Sequence, residues 1–123
     1  VRLMELIEYI GPAIDLPLFA NTFPATAGPN CGVVKVTGGR PVDDRANVGR
    51  PTFQILVRGT APALADSKAW EIYDLLNGKR DFNVGNTHVI FCIAQQAAPL
   101  FLGTDETGRV LYSLNFETLI EQL

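Results

Sequence analysis

Two segments of this chain alternate their side chains with a period of two, and both must become strands. Phe53, Ile55 and Val57 stand against Gln54, Leu56 and Arg58; far downstream Val110, Tyr112, Leu114 and Phe116 stand against Arg109, Leu111, Ser113 and Asn115. Successive side chains of a strand point to opposite faces, so each segment offers one apolar face to a core. Between them the period changes. Ala61, Ala65, Ala69, Ile72 and Leu76 fall on one stripe with Leu75 beside it, and Ser67, Glu71 and Asp74 lie opposite. This predicts a helix from Pro62 to Asn77, with proline in the first turn and Gly78 past the last. Its small alanines permit close packing on a sheet.

The remaining elements follow from weaker patterns. Leu3, Leu6, Ile7 and Ile10 make an amphipathic helix of roughly ten residues, which Gly11-Pro12 stops. A short edge strand is expected over Leu18 to Phe23, among prolines, and another strand over Cys31 to Thr37. Residues 38–50, GGRPVDDRANVGR, read as a long charged loop, and Lys79 to Asn86 as a polar one. Thr87 to Ala94 is apolar at Val89, Phe91 and Ile93 and also at Ile90 and Cys92, which suggests a central strand covered on both sides. Pro99-Leu-Phe-Leu102 leads into a Gly103–Gly108 turn and the return strand from Arg109 to Phe116. The tail ETLIEQL extends that strand or adds a helical turn. The order helix, strands, helix, strands implies an α+β fold, a mainly antiparallel (mixed) sheet with two helices packed on it, in a single domain over residues 1–123.

Bulk properties exclude several classes of function. The net charge is −3, and no Lys/Arg cluster tracks a phosphate backbone, so sequence-specific nucleic-acid binding is not expected. No apolar run approaches the roughly 18 residues of a membrane span, and Glu5 and Glu8 interrupt the first apolar stretch, unlike a signal-peptide core. A soluble protein made in a reducing cytoplasm is expected. The charged fraction is 19%, below the usual value of about 25%; interfaces between subunits deplete charge in this way.

The chemical inventory is thin. His88 is the sole histidine, and Cys92 follows it by four positions in one predicted strand, a separation of about 13 Å that rules out a local dyad. Cys31, Cys92 and His88 are too few and too scattered for structural zinc. Asp43-Asp44 and Asp105-Glu106 match no calcium loop, and neither a phosphate-binding nor a dinucleotide-binding glycine motif is present. No catalytic residue, metal or cofactor is expected.

Three segments in order resemble a phage family of tail terminators, also described as minor capsid proteins. Pro51 to Arg58 is similar to its P-x-x-Q-[IV]-x-[VW]-R strand; Ala65 to Asn77 resembles A-x-x-x-A-x-x-[IL]-x-x-L-N; Pro99 to Arg109 resembles P-x-x-L-G-x-D-x-x-G-R, with Asn115-Phe116 downstream. The resemblance covers about residues 50–117. It implies a non-enzymatic virion protein, made in the host cytoplasm, that forms a homo-hexameric ring on the last ring of the tail tube. The ring would stop tube growth and present a surface to the head connector or stopper protein. For such contacts the charged 38–50 segment is the candidate interface, with Arg40, Asp43, Asp44, Arg45 and Arg50. Two alternatives stay open: a head-completion or neck adaptor of the same virion junction, and a small ligand-binding regulatory α+β domain.

Overall fold

The computed structural model describes residues 2–43 and 47–121. Helix α1 spans Leu3–Ile14 and α2 spans Pro62–Leu76. The strands are β1 (Leu18–Ala20), β2 (Cys31–Asp43), β3 (Val48–Gly59), β4 (Lys79–Val84), β5 (Thr87–Ala94), β6 (Leu100–Thr104) and β7 (Val110–Glu121). They form one sheet in the order β1-β2-β3-β7-β5-β4, and β6 pairs with β7 as well. Every pairing is antiparallel except that of β1 with β2. The α+β class holds. Among the described residues, no helix is long and apolar enough to cross a membrane.

The two alternating segments are β3 and β7, and they pair at the sheet centre. Phe53 lies opposite Phe116, and Ile55 opposite Leu114. The two phenyl rings stack at 5.2 Å between centroids. Both helices cover this face. α2 rests on β3, β5 and β7, and α1 on β1, β2, β4 and α2. Ala65, Ala69, Ile72 and Leu76 are buried as the stripe predicts, and Gly59 leaves room for the Ala65 methyl.

Four expectations are corrected. α1 does not stop at Gly11-Pro12 but runs to Ile14. A proline inside a helix removes a hydrogen bond and costs about 3 kcal/mol, but Leu6, Ile10 and Ile14 are spaced by four and all are buried. Burying a side chain such as Ile14 contributes about 1.5–3 kcal/mol, and the Lys68 ammonium donates to the Ile14 carbonyl at 2.8 Å. The true stop is Asp15, at a left-handed φ of 51°, whose N–H donates to the Gly11 carbonyl.

Residues 38–43 and 48–50 are strand and not loop. β2 continues to Asp43 and β3 begins at Val48, so a two-stranded ribbon extends the sheet. The glycines that suggested a loop make a bend: Gly38 and Gly39 have φ of 100° and 113°, and a Cβ on Gly39 would lie 2.1 Å from the Arg50 carbonyl oxygen. Only glycine fits there.

The polar stretch from Lys79 is the edge strand β4. Its Val84 is buried and its Phe82 packs against Tyr9 with ring centroids 5.5 Å apart, while Arg80, Asp81 and Asn83 are exposed. Charged side chains are what an edge strand carries to resist unwanted pairing. β5, finally, is neither central nor covered on both sides. It lies second from that edge, and a register shift at Ile90 turns Val89 and Cys92 both toward the helices. Phe91 and Ile93 then face the uncovered side, Ile93 42% exposed. The tail continues β7 as a strand to Glu121.

Candidate functional site: the uncovered sheet face and its free edge

One face of the sheet has no helix on it, and the polar residues of the alternating segments occupy it. Their centre is a side-chain network. The Gln54 amide donates to the Ser113 hydroxyl at 2.9 Å, and the Asn115 amide reaches the same hydroxyl at 3.3 Å. Gln96 completes it. Its carbonyl accepts from the Asn115 N–H at 3.1 Å and from the Asn115 side chain at 2.9 Å, while its NH₂ donates to the Ser113 carbonyl at 2.8 Å. Both β5 and β6 pair with the same edge of β7, and the chain leaves that edge between them. The Gln96 carboxamide stands in the gap and serves as the missing peptide group. Nothing in its local sequence signals this role, which depends on the topology.

At one end of the face Arg58 is buried. Its guanidinium donates to the Gly28 carbonyl at 2.9 Å and to the Cys31 sulfur at 3.4 Å, and lies 4.3 Å over the Phe23 ring. Its Nε has no partner among the described residues. Arg58 thereby fastens the proline-rich segment before β2 onto the sheet. Burial pushes the Cys31 thiol up against the pull of the Arg58 charge, and burial alone pushes Cys92 up to about 12. Neither is a thiolate at neutral pH, as a nucleophile requires.

At the other end lies the ribbon. Arg40 and Arg50 are direct cross-strand partners, both exposed. With Thr52, Phe91, Gln95 and Glu117 they line an open cleft of about 290 Å³. Two like charges placed opposite each other are unfavourable unless an anion joins them, and Glu117 brings a carboxylate to the same cleft. Of the five expected interface residues, the structure brings Arg40 and Arg50 together. Asp43 closes β2 opposite Val48, and Asp44 and Arg45 lie outside the described residues.

The turn between β6 and β7 is built by Asp105. Its carboxylate accepts from the N–H groups of Thr107 and Arg109 and from the Thr107 hydroxyl, at 2.8–3.0 Å. Burial tends to raise this carboxyl, but these donors, Arg109 foremost, outweigh it and hold it below the usual range. His88 lies on the β4–β5 edge, with Nδ1 3.1 Å from the side-chain Oδ1 of Asn83 and Nε2 3.6 Å from the Asp81 carboxylate. Among the described residues no group of acids, cysteines or histidine could hold a metal.

The feature that sequence reasoning missed is the exposure of β6. Leu100, Phe101 and Leu102 are 55%, 54% and 50% exposed. Three consecutive apolar residues in a strand cannot all turn to one core, and that run was the available signal. Trp70 and Leu64 of α2 are exposed too. Trp70 packs edge-on against Tyr73, whose hydroxyl donates to the Gln96 carbonyl just ahead of β6.

A family model described as bacteriophage tail terminator protein matches residues 3–122. Among solved structures, a chain from the virion of a native gene transfer agent particle is similar at a TM-score of 0.66 and 14% identity, over 91% of this chain and 84% of that one. A second solved chain is similar at a TM-score of 0.54 and 18% identity, over 94% of this chain and 88% of its own length. No curated protein matches in sequence. At these identities the structural matches speak for the fold.

Proposed function

We propose, from the premise that the chain belongs to the bacteriophage tail terminator family and is a structural protein of phage tails, that it caps the tail tube as a closed homo-hexameric ring. The ring ends tube polymerisation and forms the tail side of the head–tail junction, with the tube protein on one side and the head connector or stopper protein on the other. The chain acts by contact and not by catalysis, in the virion after assembly in the host cytoplasm. The observation that carries this reading, beside the family, is how the fold spends its surface. Its helices cover one face of the sheet, while the other keeps a polar network, an arginine cleft and a free apolar edge. Such a surface is suited to protein partners. A ring of identical copies needs head-to-tail contacts between two different patches, which this asymmetric sheet offers.

The test is to disrupt the gene in the parent phage and image particles by negative-stain electron microscopy. Overlong, headless tails of variable length are expected, because tube growth has lost its stop. Tails of normal length beside leaking heads would move the protein to the head side of the junction; unaltered infectious particles would refute a structural role.

A further inference from the structure

Among the described residues, the outer edges of β4 and β1 are defended and that of β6 is not. An edge invites pairing with another chain and is usually blunted by charge, proline, brevity or a bulge. β4 carries Lys79, Arg80 and Asp81, the last at a φ of 51°. β1 is three residues long, between Pro17 and Asn21, the latter at a φ of 66°. β6 has neither charge nor proline from Leu100 to Thr104, and among the described residues no strand pairs with its outer side. It does carry a bulge, where Leu102 is the extra residue between Phe101 and Gly103. The bulged residue is itself apolar and half exposed, so it adds to the adhesive surface.

We propose that β6 receives a second copy of the chain, and that the part received is β2 from Lys35 to Arg40, laid antiparallel. This rests on the ring reading above and names the seam of that ring. β1 pairs with Gly32–Val34, and among the described residues no strand covers the outer side of β2 from Lys35 to Pro41, which has no N–H to give. β6 pairs with Val110–Ser113 of β7, which lie across β3 from Cys31–Val33 of β2, so Lys35–Arg40 sits on the opposite side of the molecule, as head-to-tail closure requires, but further along the strands, past the stretch that β1 covers. β6 is antiparallel to β7, β7 to β3, and β3 to β2. A neighbour repeated sideways and shifted along the strands therefore offers β6 its Lys35–Arg40 stretch in antiparallel sense. The charges agree. The β2 stretch carries Lys35 and Arg40 and no acid, while β6 runs directly into Asp105 and Glu106. Antiparallel pairing points that acidic turn at the Lys35 end and sets the leucines and Phe101 beside Val36, which is exposed. Opposite charges across a seam fix register and orientation. A two-fold contact between two copies of β6 would leave both acidic turns without a basic partner.

Disulfide trapping tests this with the full chain on tails assembled in the parent phage. Leu102→Cys is combined with Val36→Cys, or with Lys35→Cys or Thr37→Cys to cover neighbouring registers. The native Cys31 and Cys92 are buried. Oxidised double variants are expected to give a ladder of linked copies on non-reducing gels, and mixtures of the single variants to give dimers that neither single variant gives alone. Phe101→Lys with Leu102→Lys should leave a folded subunit whose capping of tails falls at least about tenfold, since each lysine would bury an unpaired charge. Rings that cap tails without any of these crosslinks, and despite the two lysines, would overturn this seam while leaving the ring reading intact. Dimers formed by Leu102→Cys alone would overturn it in favour of the two-fold contact. Failure of the unaltered protein to form rings on tails would overturn the ring reading itself.

Discussion

Replacing Gln96 by alanine should destabilise the fold far more than its half-exposed position suggests. The substitution leaves the Asn115 N–H and the Ser113 carbonyl without the partners they have at 3.1 and 2.8 Å, and frees the Asn115 side chain. A buried backbone group left unsatisfied costs about 1–3 kcal/mol, and water entering beside the half-exposed site recovers part of it, so the net loss should be about 2 kcal/mol. For a chain of this size that lowers Tm by about 8 °C. Urea titration should show a lower midpoint at an unchanged slope, because the same surface is exposed on unfolding. Hydrogen exchange locates the effect: the Asn115 amide should lose protection while the Phe53 and Ile55 amides keep theirs. Gln96→Glu retains the acceptor but sets a carboxylate oxygen against the Ser113 carbonyl; it should be destabilised at neutral pH and recover in acid, where a protonated carboxyl can donate. A loss below about 0.5 kcal/mol with Asn115 still protected would show that the ladder closes without the carboxamide and would refute the reasoning.

Other perturbations have defined outcomes. The Glu5 carboxylate accepts from the N–H groups of Asn86 and Arg2, which hold its pKa below the ordinary glutamate value. A depressed carboxylate contributes stability that is present above its unfolded pKa and lost as pH falls through the folded one. Glu5→Gln should therefore be less stable than the native chain at neutral pH, with the gap closing as denaturation is followed down through the acid range. Gly39→Ala combines a φ of 113° with a Cβ 2.1 Å from the Arg50 carbonyl oxygen; it should cost at least about 2 kcal/mol and speed amide exchange in the ribbon ahead of the rest of the sheet. Replacing Arg40, Asp43, Asp44 and Arg45 together by alanine should leave the circular dichroism and Tm of the subunit nearly unchanged yet impair assembly on tails; normal assembly would exclude the ribbon as an interface.

The parts of this fold legible in the sequence are those where local pattern and tertiary demand agree. The alternation at Phe53–Val57 and Val110–Phe116 placed the two central strands, and Ala65, Ala69, Ile72 and Leu76 named the buried stripe of α2. The parts misread are those where tertiary packing overrides a local signal. Pro12 marks a helix end by its chemistry, but Ile14 needed the core more. Gly38 and Gly39 look like a loop, yet positive φ in a paired ribbon serves a bend. Phe91 and Ile93 were read as core because a bulge, invisible in a composition of Ile, Phe and Cys, reverses which residues face inward. Of the candidate interface, the sequence pointed to Arg40 and Arg50 through charge, and the fold brings them into one cleft. It gave no weight to Leu100–Leu102, because three apolar residues beside a turn look like a strand entering the core until the sheet order shows that no layer lies there.

The position of β7 has a further consequence. Among the described residues it is the last strand in chain order and yet lies between β3 and β5, the only link joining one half of the sheet to the other. A ribosome must release residues 110–121 before either half can close. Until then β3 and β5 each present a raw edge, and their closure awaits contacts between distant parts of the chain, the slow kind. Maturation of the subunit is thus all-or-none in time: an unfinished chain has no intact sheet to add to a growing assembly, and synthesis itself acts as a gate on when a copy becomes competent to join.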